Sequence, residues 1–230
     1  MNLTKLFETQ RELDNKIVEE KGLQGQDLLD KKILALQVEL GELAQNWRGF
    51  KFWSEDRRAN VFKRESCPDC LEKGYYRGNP PKDKKHGTHG LGNHWYYCEK
   101  CAGFLVIDRN PLLEEYVDCL HFILSIGLEE YEQYDHARFP VNLNISGVQS
   151  VVKYKNITKQ LNRLFDNIGY LEDCIFEREF GTEGEIAGQY QFVVQLFLGL
   201  GEMLGFTWEQ IVDAYYKKNE INHERQENGY

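Results

Sequence analysis

No stretch of this 230-residue sequence is apolar for long enough to cross a bilayer. The longest candidate, Phe192 to Leu204, is interrupted by Gln195, Gly199, Gly201 and Glu202. An apolar leader is missing as well: the opening MNLTKLFETQRELD carries acidic residues, so the reading is a cytoplasmic protein without a secretory signal and without a membrane partner. A formal net charge of −9 argues against the broad basic face that duplex nucleic acid requires. It leaves small phosphorylated ligands open, because clustered carboxylates recruit divalent cations and thereby reverse the local field. Strand patterns are lacking outside one central segment, and no internal repeat is visible, so the expected scaffold is an all-α helical bundle.

Helical periodicity is what the sequence does contain. Leu3, Leu6, Phe7, Leu13 and Ile17 mark an amphipathic helix from about Thr4 to Glu20, closed by turn residues from Gly22 to Gln26. Leu29, Ile33, Leu36, Leu40 and Leu43 mark a second helix reaching about Trp47. After a central break, Asn110 and Pro111 supply an N-cap and a first-turn proline for a helix to about Glu132. Two further helices are expected over Ser146–Asn167 and Gly184–Gly205, with a less regular stretch around Glu172–Gly181. Thr207 and Gln210 have capping-box spacing at the start of the last helix.

The break itself is a change of composition. From Gly49 the chain turns aromatic and basic, then rich in Cys, Gly, Pro, Lys and His, which predicts an inserted module over residues 51–109 between helical segments 1–50 and 110–230. Within it, HWYYCEKCAGFLVID places aromatic and β-branched runs on either side of a CxxC, the pattern of a short hairpin around a metal knuckle.

Cys67 with Cys70 and Cys98 with Cys101 form two CxxC pairs, which in a reducing compartment read as the four thiolates of a zinc site. Lys73, Arg77, Lys82, Lys84, Lys85, His86 and His89 would suit a redox or nucleic-acid module. A closed four-thiolate site has no open position for catalysis, so a structural staple is the better reading. His86, His89 and His94 are read as loop residues outside that site, and Cys119 and Cys174 as inert core thiols.

Two carboxylate pairs stand on strongly apolar helices. Glu39 and Glu42, in VELGEL, and Glu115 and Asp118, in EEYVDCLHF, are each three residues apart and so share one helical face. Packed antiparallel, the two helices could bring four carboxylates together. Their mutual repulsion would call for a hard divalent cation such as Mg²⁺, which keeps positions for water and phosphate oxygens. Near the end of the chain Lys218, Asn222 and Arg225 are spaced to share one face and offer donors to phosphate or sugar oxygens.

Taken together, ExxE, the later ExxD and the tail KNEINHERQENGY resemble the dimeric dUTPases, members of the all-α NTP pyrophosphatase superfamily. The resemblance spans the helical chain on both sides of the insertion, and the tail is its most specific part. It implies that Glu39, Glu42, Glu115 and Asp118 hold Mg²⁺ against a triphosphate, and that Lys218, Asn219, Asn222, Arg225 and Tyr230 line the nucleotide pocket. Gln10 looks like the family's base-contacting glutamine, while Trp47, Phe52 and Trp53 lie where family members place aromatics near the base, with core packing an equally good reading for each. The departure is the gap of about 70 residues between Glu42 and Glu115, which holds the four-cysteine segment.

The expected activity is hydrolysis of dUTP to dUMP and pyrophosphate by a metal-activated water, with Glu39 orienting or deprotonating it and the other three acids as ligands. One alternative is a pyrophosphatase of the same fold acting on dCTP or several deoxynucleotides. Another is a non-enzymatic helical adaptor that binds a protein or nucleic-acid partner through its zinc module. A third joins the two, with the insertion as docking surface on an active enzyme. The resemblance implies a homodimer, for which Phe192–Leu204 offers an apolar surface.

Overall fold

The computed structural model of the chain describes residues 3–72, 87–89, 93–95, 98, 100–101, 104–133, 151–176 and 183–227. The chain divides into two compact units, one of residues 1–59 with 112–230, the other of residues 60–111. Residues 51–59 thus group with the helices.

In the helical unit, α1 (Thr4–Lys21) buries the stripe Leu6, Phe7, Gln10 and Leu13. It ends where Gly22 takes a left-handed conformation and the Leu23 amide donates back to the Val18 carbonyl. α2 (Leu29–Trp47) buries Leu29, Ile33, Leu36, Leu40 and Leu43, the residues its periodicity marks. α4 (Pro111–Gln133) and α6 (Glu183–Leu204) are apolar on most sides and lie at the centre of the core. α5 (Ile157–Phe176) packs against α6 and α2, and α7 (Trp208–Glu227) packs against α1. The Thr207–Gln210 capping box forms reciprocally: the Gln210 amide donates to Thr207 Oγ1, and the Thr207 amide donates to Gln210 Oε1.

Three buried tyrosines bolt these helices together through their hydroxyls. Tyr116 on α4 donates to the Phe197 carbonyl and Tyr190 on α6 to the Ile123 carbonyl, while Tyr215 on α7 shares its one proton between the Leu6 carbonyl and Gln10 Oε1 on α1. Because 116 meets 197 while 123 meets 190, α4 and α6 run antiparallel. Gly201 makes room for this arrangement: a Cβ there would come within 2.5 Å of the Tyr116 hydroxyl.

Two expectations about the helices are corrected. The helix expected from Ser146 starts at Ile157: residues 151–156 are not helical, and residues 146–150 lie outside the described residues. Gln160 holds that segment, donating to the Val152 and Leu196 carbonyls and accepting from the Tyr154 amide, while Asn156 Oδ1 caps the helix through the Lys159 amide. At its other end α5 continues to Phe176, because Leu164, Ile168, Leu171 and Ile175 extend one buried stripe through the stretch expected to be irregular. The remainder of that stretch, residues 177–181, lies outside the described residues.

In the second unit β1 (Lys63–Ser66) pairs antiparallel with β4 (Val106–Arg109), and β2 (Gly87–His89) pairs with β3 (Asn93–Trp95). Among the described residues, the two strands flanking the second CxxC therefore pair with β2 and β1 and not with each other, unlike the hairpin around the knuckle that the sequence pattern suggested. The Cys67 amide donates to the Leu105 carbonyl, so the β1–β4 ladder runs directly into the cysteine turns. A short helix, α3 (Pro68–Glu72), carries Cys70. Lys73, Arg77, Lys82, Lys84, Lys85 and His86 lie outside the described residues, as do the side chains of His89 and His94. Among the described residues, no helix is long and apolar enough to cross a membrane.

Candidate active site

α2 and α4 bring carboxylates from both sequence pairs to one place. Glu39, Glu42 and Glu115 each offer an oxygen within 4.8 Å of the others. Asn46, one turn after Glu42, donates to Glu115 Oε1 at 3.3 Å. Burial raises the proton affinity of Glu39, and the charges of Asp118 and Glu42 raise it further. Glu115 is pushed up to about 7, by burial first and then by Asp118, Glu42 and Glu39. Such a set of repelling carboxylates could hold a cation.

Asp118 is close enough to perturb Glu39 and Glu115, but its own carboxylate is engaged from another helix. Lys218 Nζ on α7 donates to Asp118 Oδ2 at 2.6 Å, with both side chains largely covered. Burial still raises the Asp118 proton affinity, against the lowering effect of Lys218. Along the same helix Asn219 is buried, Asn222 is half-buried and Arg225 is exposed, while Tyr230 lies outside the described residues.

Gln10 is 3% exposed and both ends of its amide are engaged. Nε2 donates to Asp14 Oδ1 at 2.7 Å, while Oε1 accepts from the Tyr215 hydroxyl at 2.9 Å and lies 2.7 Å from His121 Nδ1. Asp14 also accepts from the Ser125 hydroxyl and pairs with Lys32. Burial, with Lys218 nearby, lowers the His121 pKa to about 3, so its ring is neutral at ordinary pH. The sequence reading passed over His121, Asp14 and Gln160; the first of these stands three residues after Asp118, on the face the carboxylates use. Of the three aromatics, Trp47 packs against the core, whereas Phe52 and Trp53 are exposed and meet edge to face at 5.0 Å.

In the second unit the four cysteine sulfurs lie within 4.8 Å of one another, all buried. The Cys67–Cys98 and Cys70–Cys101 sulfur separations are 3.8 and 3.6 Å. A tetrahedral ion with Zn–S bonds of about 2.3 Å sets its sulfurs about 3.8 Å apart, so the spacing fits zinc. The Leu105 amide donates to Cys101 Sγ at 3.3 Å, made possible by a left-handed backbone at Leu105. Cys119 and Cys174 are buried in the helical core.

The described residues define an all-α protein whose carboxylate-bearing helices meet at a candidate cation site. A dUTPase family model matches residues 2–71 and 105–230, and the chain belongs to that family. Membership makes it a nucleotide pyrophosphatase with a nucleotide substrate. The unmatched internal stretch, residues 72–104, falls within the second unit. No curated protein matches the chain.

Proposed function

We propose that the protein hydrolyses dUTP to dUMP and pyrophosphate at a magnesium site made by Glu39, Glu42, Glu115 and Asp118. The convergence of three carboxylates from two helices, in a chain of the dUTPase family, carries the proposal. Hard carboxylate oxygens from one turn of each helix suit Mg²⁺, which when bound supplies Lewis acidity and neutralises phosphate charge.

Glu39, half-buried between other acids, holds a proton more readily than an ordinary glutamate, and this suits it to accept one from the attacking water. Glu42 and Glu115 each offer a ligand oxygen within 4.8 Å of it, and Asp118, one turn after Glu115, connects the group to Lys218. Lys218, Asn219, Asn222 and Arg225 offer ammonium, amide and guanidinium donors to the nucleotide, with Tyr230 and Gln10 assigned by family resemblance. The four cysteines hold a structural zinc ion, and the module they staple offers a surface for a protein partner. The working form is a cytoplasmic homodimer.

The test is dUMP production by the purified protein with and without Mg²⁺, beside the Glu42→Gln variant. Metal-dependent turnover that the variant loses is the expected result. A folded, zinc-loaded protein that turns over no nucleotide would move the reading to the adaptor.

A further inference from the structure

Asn46 lies on the face of α2 that carries Glu39 and Glu42, two turns after the first and one turn after the second. Its side chain reaches across to another helix. Nδ2 donates to Glu115 Oε1 on α4 at 3.3 Å, and the same nitrogen lies 3.5 Å from the Glu42 carbonyl oxygen. An asparagine near the end of a helix ordinarily bonds to its own backbone or to water. Here it bridges 69 positions of sequence to meet one acid of the candidate cation site.

The contact meets a specific need. Burial, and then the charges of Asp118, Glu42 and Glu39, all disfavour the ionised form of Glu115. A carboxylate repelled by its neighbours turns away from them unless a donor holds it, whereas Mg²⁺ demands ligand oxygens in near-ideal octahedral positions. The acids of this site are held by donors of two kinds, the Lys218 ammonium at Asp118 and the neutral Asn46 amide at Glu115. A neutral donor orients a carboxylate without adding a positive charge that would repel the cation. One amide hydrogen takes one lone pair of Oε1 and leaves the other lone pairs of the carboxylate for coordination.

We propose that Asn46 is a positioning residue of the cation site, its amide holding the Glu115 carboxylate in the orientation in which that carboxylate binds the metal. The proposal rests on the Mg²⁺ site proposed above and extends it from the four acids to a residue that sets one of them. Partners that hydrogen-bond to metal ligands change metal affinity by about 10–100-fold when they are removed. Asn46 acts on the reaction through Glu115. Its loss is therefore expected to raise the Mg²⁺ concentration needed for half-maximal turnover by a larger factor than it lowers kcat at saturating metal. A residue that only supported the helix would show no such split.

The experiment titrates Mn²⁺, followed by its electron paramagnetic resonance signal, into the full zinc-loaded chain without nucleotide, for the wild type, Asn46→Leu and Asn46→Gln. Leucine is close to asparagine in size and has no donor, while glutamine keeps the amide on a longer stem. The leucine variant is expected to bind Mn²⁺ about 10–100-fold more weakly, and the glutamine variant to recover part of that loss. Unchanged affinity in Asn46→Leu overturns the proposal. Equal weakening in both variants overturns it too, because the donor is then not what matters. Hydrogen exchange of the Asn46 side-chain amide in the wild type, read by nitrogen NMR, is a second readout that does not depend on a variant folding. It should stay slow when Mg²⁺ is added, and exchange as fast as that of a free asparagine overturns the proposal. Mn²⁺ binding that depends on Asn46, in a protein that turns over no nucleotide, would support this inference and overturn the proposed reaction. A wild type that binds no Mn²⁺ overturns the cation site and this inference with it.

Discussion

Lys218 Nζ sits 2.6 Å from Asp118 Oδ2, joining the last helix to the helix that carries the second carboxylate pair. The two side chains are 21% and 17% exposed, so water screens the pair only in part. The contact places an amine from the tail beside the acid nearest to the three-carboxylate group, which ties the tail motif to the ExxD motif in space.

Removing either partner leaves the other charge half-covered. Asp118→Asn and Lys218→Met should each destabilise the fold, and the double variant should lose less than the sum. The expected coupling is about 0.5–3 kcal/mol, measured by urea unfolding as a double-mutant cycle. Additive single effects would show that the pair contributes nothing to stability.

The pH dependence follows from Glu115. Its carboxyl is raised from 4.5 to about 7, so the fold favours the protonated form. The stability from that preference is full below the ordinary glutamate pKa and is lost as pH rises through about 7. A divalent cation binds the deprotonated form and should reverse the loss. The Mg²⁺-induced rise in Tm is therefore expected to grow as pH increases through 7, with proton release on binding seen by calorimetry. Glu115→Gln should flatten both trends, and a pH-independent Tm shift in the wild type would exclude Glu115 as the titrating group.

Much of this was readable from the sequence because helical burial repeats on a short period. The stripes of α1 and α2 came directly from leucine spacing, as did the pairing of Glu39 with Glu42 and of Glu115 with Asp118. What spacing could not reveal depends on partners distant in the chain. Gln160 reads as an ordinary polar helix residue until its amide meets Val152, Tyr154 and Leu196, and that contact delays the start of α5. His121 likewise reads as a lone histidine on an apolar helix, and its Nδ1 meets the side chain of Gln10, 111 residues away. The CxxC pairs announced a gathering of four cysteines that could hold a metal, but among the described residues the strands beside the second pair join β2 and β1, which the local hairpin pattern did not reveal.

The cysteine cluster gives a prediction that does not involve turnover. Purified protein should contain one zinc ion per chain, and Cys98→Ser should bind it far more weakly, because three thiolates remain where four close the tetrahedron. Elemental analysis with a chelator titration measures this. Amide hydrogen exchange should show protection lost at Cys67 and Leu105, whose backbone bonds depend on the cluster geometry. Zinc-free protein with unchanged protection at these amides would show that the fold of the module does not need the metal.

Gln160 offers the sharpest test of how the helical unit is held. The side chain is 0% exposed and satisfies three backbone groups: the carbonyls of Val152 and Leu196 and the amide of Tyr154. Gln160→Leu keeps the approximate volume but leaves those groups without their side-chain partner. A buried group left unsatisfied costs about 1–3 kcal/mol, and because Val152 and Tyr154 are only half-buried a total loss of about 1–3 kcal/mol is expected on urea unfolding. Gln160→Glu keeps the acceptor for Tyr154 and places a carboxylate against two carbonyl oxygens, so it should be at least as harmful despite its similar shape. A loss below about 1 kcal/mol in both variants would mean that water replaces the amide and that the 151–154 segment is not pinned by it.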